Sequence, residues 1–242
     1  MWLNKQQLMN HNFIFSENMK MSDVVSSNPK LMLTLSRFGI ELGFGDHSIK
    51  EVCERAKVSP LFFTLICNIY SNQDFIPTLD DLKSVDCNSL LSYLSESHKY
   101  YVNERLPHIE FHLNRIIEAC PERFAKTLDR FFKEYKSEVT KHFSYEEVTV
   151  FPYIIALNNK DKNSSFTISE FKSSHTNIED KLSDLMNILI KYLPANIFPK
   201  ERIEISLDIM DLSSDLSSHT IVEERILVPF VELLEYNNYE SQ

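Results

Sequence analysis

Four long stretches of the chain repeat apolar residues every three to four positions, the spacing that lines one face of an α-helix. They run over about 87–118, 121–158, 167–193 and 200–236. The breaks between them are the residues around Pro121, which suits an opening turn, the polar run NNKDKNSS, and the loop bracketed by Pro194 and Pro199. A shorter helical pattern precedes them over 21–72, carrying Val24, Val25, Leu31, Leu33 and Leu35, then Ile49, Val52 and Ala56, then Leu61 to Ile69. Residues 1–20 read as a polar tail, 73–86 as a linker with Pro77 and several acids, and 237–242 as a C-terminal tail. Only three glycines occur, too few for the tight turns of a sandwich or barrel. The pattern predicts an all-α protein: an up-down-up-down antiparallel four-helix bundle over 87–236, preceded by a small helical domain over 21–72.

Two of the stripes change character without leaving the buried face. In the second helix Phe124, Leu128, Phe131 and Tyr135 give way to Glu138, His142 and Glu146. In the fourth, Ile205, Ile209, Leu212 and Leu216 lead into His219 and Glu223, and Ile226, Phe230 and Leu234 follow. Burying ionisable groups costs several kcal/mol unless they are paired or bind a metal, so this turn in the pattern needs a ligand or a partner.

The segments HFSYEEVTVFPYI from His142 and HTIVEERILVPFV from His219 share His, Glu four later, Glu five later and Pro ten later, and they lie 77 residues apart. His98 recurs at the same interval as His175. Positions i and i+4 share a helical face one turn apart, so each His-Glu pair can point inward together. His98 and His142 are equally far from the break near Pro121, as His175 and His219 are from the Pro194–Pro199 loop. In antiparallel neighbours that puts all four imidazoles at one height, roughly 33 Å from the turns at 1.5 Å per residue.

Six ligands, His98, His142, Glu146, His175, His219 and Glu223, without any thiolate, suit an imidazole-binding metal such as iron and disfavour a cysteine-built structural zinc site. Two carboxylates can bridge two ions and leave an open position for a small molecule. Ferritin-like chemistry would use Glu-x-x-His at i, i+3, which is not the order here. Glu147 and Glu224, rotated by about 100° from their neighbours, are expected at the boundary or facing solvent, the lesser alternative being that one of them replaces Glu146 or Glu223 as a ligand. Glu179, four residues after His175, has the spacing of a further carboxylate ligand. Tyr101 falls on the His98 face, where core packing is the simpler role and proton donation the sharper one. His108 and His112 also stand at i, i+4 but have no matching partners and read as a surface pair.

The net charge of −10, with no concentrated basic patch, argues against a nucleic-acid partner. Cys53, Cys67, Cys87 and Cys120 lie far apart without a CxxC pair, as in packing residues of a reduced cytoplasmic protein. No stretch has the length of a membrane span, and the N-terminal MWLNKQQLMNHNFIF lacks the layout of a signal peptide.

At the six-ligand pattern the chain resembles the hemerythrin-like (HHE) cation-binding proteins, over roughly 87–236. The leading segment MSDVVSSNPKLMLTLSRFGIELGFGDHSIKEVCERA, especially Asn28–Pro29 and Arg37–Glu41, resembles the small domain of the repair-of-iron-centres (RIC, or ScdA-like) family. The resemblance implies a cofactor of two non-haem Fe ions, oxo- or hydroxo-bridged, on the same six residues. It implies reaction with O₂ and NO, and support for repair of iron–sulphur proteins damaged by nitrosative or oxidative stress, a stress-response role rather than classical enzyme turnover. Glu138 matches a family glutamate able to shuttle protons or guide ligands. An O₂/NO sensor without repair activity, or a small peroxidase-like oxidase at the same centre, are the alternatives; a homo-oligomer is compatible with each. Three departures matter. Gly43-Phe44 stand where the family usually has a cysteine pair, and Ser174 stands where it tends to have a glutamate. Glu179 replaces the extra histidine of oxygen-carrying hemerythrins, which speaks against simple oxygen carriage. SIKEVCERAKVSPLFFTLI also resembles the start of a helix-turn-helix, though an acidic chain with few arginines there fits DNA poorly.

Overall fold

The computed structural model describes residues 14–161, 166–174, 178 and 180–240. Among them every regular element is a helix, and the one β contact is an isolated bridge between Lys20 and Ser48. It packs as two compact units, Leu94–Thr220 and the residues up to Tyr93 together with those from Ile221 onward.

Four long stretches carry the helices predicted from residue 87 on, and the unit Leu94–Thr220 takes in the second and third and most of the first and fourth. The first joins α6 (Cys87–Tyr100) to α7 (Leu106–Ala119), and the second joins α8 (Glu122–Tyr145) to α9 (Phe151–Asn158). The third contains α10 (Ile168–Ser174) and α11 (Asp180–Asn187), and the fourth joins α12 (Pro199–Val222) to α13 (Val228–Glu240). Ile109, Leu113 and Ile116 from the first stretch meet Leu128, Phe132 and Val139 from the second, Leu182 and Leu185 from the third, and Ile205, Ile209 and Leu212 from the fourth. These form the shared apolar core of a four-helix bundle, as the three-to-four periodicity predicts.

Each long stretch contains a widened π turn: Tyr101–Arg105, Glu146–Val150, Ile188–Tyr192 and Glu223–Leu227. All four precede an apolar residue followed by proline: Leu106-Pro107, Phe151-Pro152, Leu193-Pro194 and Val228-Pro229. Proline has no N–H, and its ring clashes with the carbonyl four residues back. The preceding residue's N–H instead reaches five back: Leu106 to the Tyr101 carbonyl, Phe151 to Glu146, Leu193 to Ile188 and Val228 to Glu223. At the first, second and fourth turns the helix continues beyond the proline. At the third Leu193 becomes extended and the helix ends. The repeated proline therefore marks where the turn opens.

In the other unit, α1 (Met21–Ser27), α2 (Leu31–Arg37), α3 (Ile49–Ala56) and α4 (Pro60–Ser71) form the small helical segment. Its two motif residues converge on the end of α4. Asn28 Nδ2 donates to the Tyr70 carbonyl and to Ser71 Oγ, and the buried Arg37 guanidinium donates to Tyr70 Oη at 2.5 Å. Every residue from Phe62 to Tyr70 is buried, which leaves α4 no polar face to enter a DNA groove as a recognition helix would. Residues 73–86, read from sequence as a linker, are ordered by burial of Phe75, Leu82 and Val85 and by α5 (Leu79–Lys83), whose start Thr78 and Asp81 close as a reciprocal capping box. Phe15, within the expected tail, is buried, and Asn68 Oδ1 accepts from its N–H. The Cys53, Cys67 and Cys87 thiols are buried; burial raises Cys53 to about 12 and Cys87 to about 11, so both remain thiols at neutral pH.

Candidate metal centre

His98 lies on α6 just before the first π turn, and Glu146 opens the second. His219 lies near the end of α12, and Glu223, one helical turn further along the same rod, opens the fourth. All four side chains are buried, and one ligand atom from each lies within 4.8 Å of every other. Metal–nitrogen and metal–oxygen bonds of about 2.0–2.2 Å put ligand atoms around a single ion at comparable mutual distances. Three of the chain's long helices thus deliver a group that could hold a metal.

The carboxylate of Glu146 faces two different imidazoles. Its Oε2 lies 3.0 Å from His98 Nε2, and its Oε1 lies 3.0 Å from His142 Nε2. His98 Nε2 is also 3.3 Å from His219 Nε2. Although these nitrogens are close, neither Glu146 oxygen makes an aligned hydrogen bond to a described residue, and both are sealed from solvent. A buried carboxylate left that way in the protein alone would cost several kcal/mol. One ligand atom from each of His98, Glu146, His219 and Glu223 gathers in the same small buried space, as groups surrounding a cation do. The donor set of imidazole and carboxylate, with no thiolate, fits iron.

Packing fixes the imidazoles. The His98 ring stacks on Phe143 at 4.3 Å between centroids and lies parallel to Phe151 at 5.6 Å. Tyr101, fully buried, stacks on Phe143 and meets His219 edge-on at 5.6 Å, so it braces a candidate ligand from the core side. Its position accords with the packing role, and the ring lies within reach of the site.

The remaining candidates fall as follows. Glu138 is partly exposed and engaged by Lys181 across the helix pair. His175 and Glu179 lie outside the described residues. His108 and His112 form a ring contact at 4.7 Å, and His108 Nε2 lies 3.2 Å from Asp208 Oδ2 near the surface.

Two residues acquire an importance that spacing along the chain did not give them. Glu147 sits at the boundary, part exposed, and its Oε1 accepts from His98 Nδ1 at 2.8 Å. That hydrogen bond, helped by Ser95 and opposed by partial burial, holds the Glu147 carboxyl below the usual range. A 100° rotation carries it off its own helix's inward face, and the neighbouring helix is close enough to use it. Asp215 is buried at 2% exposure, one turn before His219. It stands 77 residues after Glu138, so extending the internal repeat by one turn would have found it.

An all-α bundle with a buried histidine–glutamate cluster between its helices defines a helical metal-binding protein. The Hemerythrin HHE cation binding domain family matches residues 92–231, more than half of the chain, and the chain belongs to that family. No curated protein matches the chain. Among the described residues, no helix is long and apolar enough to cross a membrane.

Proposed function

We propose that this chain holds two non-haem iron ions, with His98, His142, Glu146, His175, His219 and Glu223 as ligands, and that it supports repair of iron–sulphur clusters damaged by NO or oxidants. The observation that carries the two-ion reading is the division of the Glu146 carboxylate, one oxygen toward His98 and the other toward His142. A carboxylate whose two oxygens face two separate imidazoles could serve two ions at once. Iron held by these residues would supply electron exchange and binding of a diatomic ligand. The residues of the chain do the rest. Phe143, Phe151 and Tyr101 exclude water and hold the imidazoles in place. Glu146 and Glu223 supply negative charge against the cations in a buried setting. The resemblance of the N-terminal segment to the RIC domain supports repair as the role and damaged iron–sulphur proteins as the partners.

Anaerobic iron loading followed by metal analysis and visible absorption on air exposure tests the site. About two irons per chain are expected, as in other bundle di-iron proteins, with their loss in His142→Ala and Glu146→Ala. Wild-type protein that retains no iron would overturn the reading. Repair is tested with an NO-damaged cluster enzyme: the iron-loaded protein should restore its activity, and metal-free protein should not. Equal recovery with both would remove the repair role. Reversible NO or O₂ binding without iron release would point to the sensor instead.

A further inference from the structure

The contact between Glu147 and His98 does something the six-residue ligand set cannot do for itself. An imidazole binds a metal through a nitrogen lone pair, so its proton must sit on the other nitrogen. His98 presents Nε2 to Glu146 and His219, at 3.0 and 3.3 Å, and turns Nδ1 away to Glu147 Oε1 at 2.8 Å. Glu147 has only acceptor atoms when ionised, and thus the Nδ1 nitrogen must be the donor in that pair. With that proton held on Nδ1, Nε2 is the nitrogen that can offer a lone pair to an ion beside Glu146 and His219. His98 is 4% exposed and Glu147 36%, so the orienting carboxylate keeps contact with water while the ring it holds does not.

We infer that Glu147 is the positioning residue of this centre: its carboxylate fixes the Nδ1–H tautomer of His98 and so readies Nε2 as an iron ligand. The proposal rests on the metal-binding reading above. Outer carboxylates of this kind raise the basicity of a ligating imidazole, and removing them typically weakens metal affinity 10–100-fold. The placement depends on sequence adjacency: Glu146 points inward, and Glu147, the next residue round the helix, reaches the first long helix from the side.

The test uses the full-length chain with ¹⁵N-labelled histidine, first metal-free and then in competition with a chelator for ferrous iron. Long-range ¹H–¹⁵N spectra report the His98 tautomer, with the resonance assigned by its loss in His98→Gln. Wild type is expected to show Nδ1 protonated with and without iron, and Nε2 bare once iron is bound. Glu147→Ala should shift His98 toward the Nε2–H form and weaken iron retention about 10–100-fold. Glu147→Gln keeps an acceptor oxygen and should restore the tautomer and part of the affinity. Glu96→Ala, which removes a nearby surface charge paired with Lys99, should change neither reading. If Glu147→Ala leaves either the tautomer or the iron affinity at the wild-type value, the proposal is overturned while iron binding stands. If wild type takes up no iron at all, the metal-binding reading falls and takes the proposal with it.

Discussion

Ile109, Leu113, Leu128, Phe132, Ile205 and Ile209 occupy inward positions on the same helices that elsewhere carry His98, Glu146 and His219. Both groups are removed from water, but the apolar layers gain by it, at roughly 25 cal/mol per Å² of apolar surface. The histidine–glutamate layer loses by it until a cation or a matched hydrogen-bond network compensates. One stretch of the bundle is built to be stable; another, on the same frame, is built to bind.

That contrast can be broken most forcefully from the apolar side. Phe132→Ala, in the core, should destabilise metal-free and iron-loaded protein alike by about 3–5 kcal/mol. Urea unfolding of both forms measures it, and a loss confined to one form would show that the two layers are not separable. The next effect belongs to the metal. Iron at a hundred times its dissociation constant should add about 2.7 kcal/mol to wild-type stability. Chelation should therefore lower the melting temperature of wild type and leave that of Glu146→Ala unmoved. A third measurement inverts the usual sign. Glu146→Leu should abolish iron loading yet raise metal-free stability, by on the order of 1 kcal/mol, because a buried carboxylate without aligned hydrogen bonds gives way to apolar surface. A fall in metal-free stability would mean that the His98 and His142 contacts already satisfy the acid. The smallest change is expected at Lys181→Ala, which removes the partner of Glu138 from a part-exposed pair. Such pairs contribute about 0–1 kcal/mol, and iron content should be unaffected.

Much of this was legible in the order of residues. Helix extents follow from the three-to-four periodicity because a bundle buries one stripe per helix and little else. The 77-residue repeat picked out His98, Glu146, His219 and Glu223, since i, i+4 spacing and equal distance from the turns are properties of helices rather than of a particular packing. The repeat also contained the proline, but not what it does: the opening of a π turn becomes visible only when the backbone hydrogen bonds are followed. Glu138 and Asp215 show where periodicity stops. They hold equivalent places in the repeat, yet one reaches Lys181 near the surface while the other is buried. Sequence spacing gives an angle on a helix; what fills the space at that angle belongs to the neighbouring helix.

The sequence by itself determined the helices, the residues able to ligate and the twofold order in which they recur, because those depend on local backbone geometry and side-chain chemistry. Tertiary structure decided which atoms meet. It set the two oxygens of Glu146 toward two different imidazoles, turned Nδ1 of His98 to Glu147, and brought Phe143 and Tyr101 against the rings. Those outcomes depend on how close two helices approach and how each is rotated about its axis. Both are properties of the pair, set by how their side chains interlock.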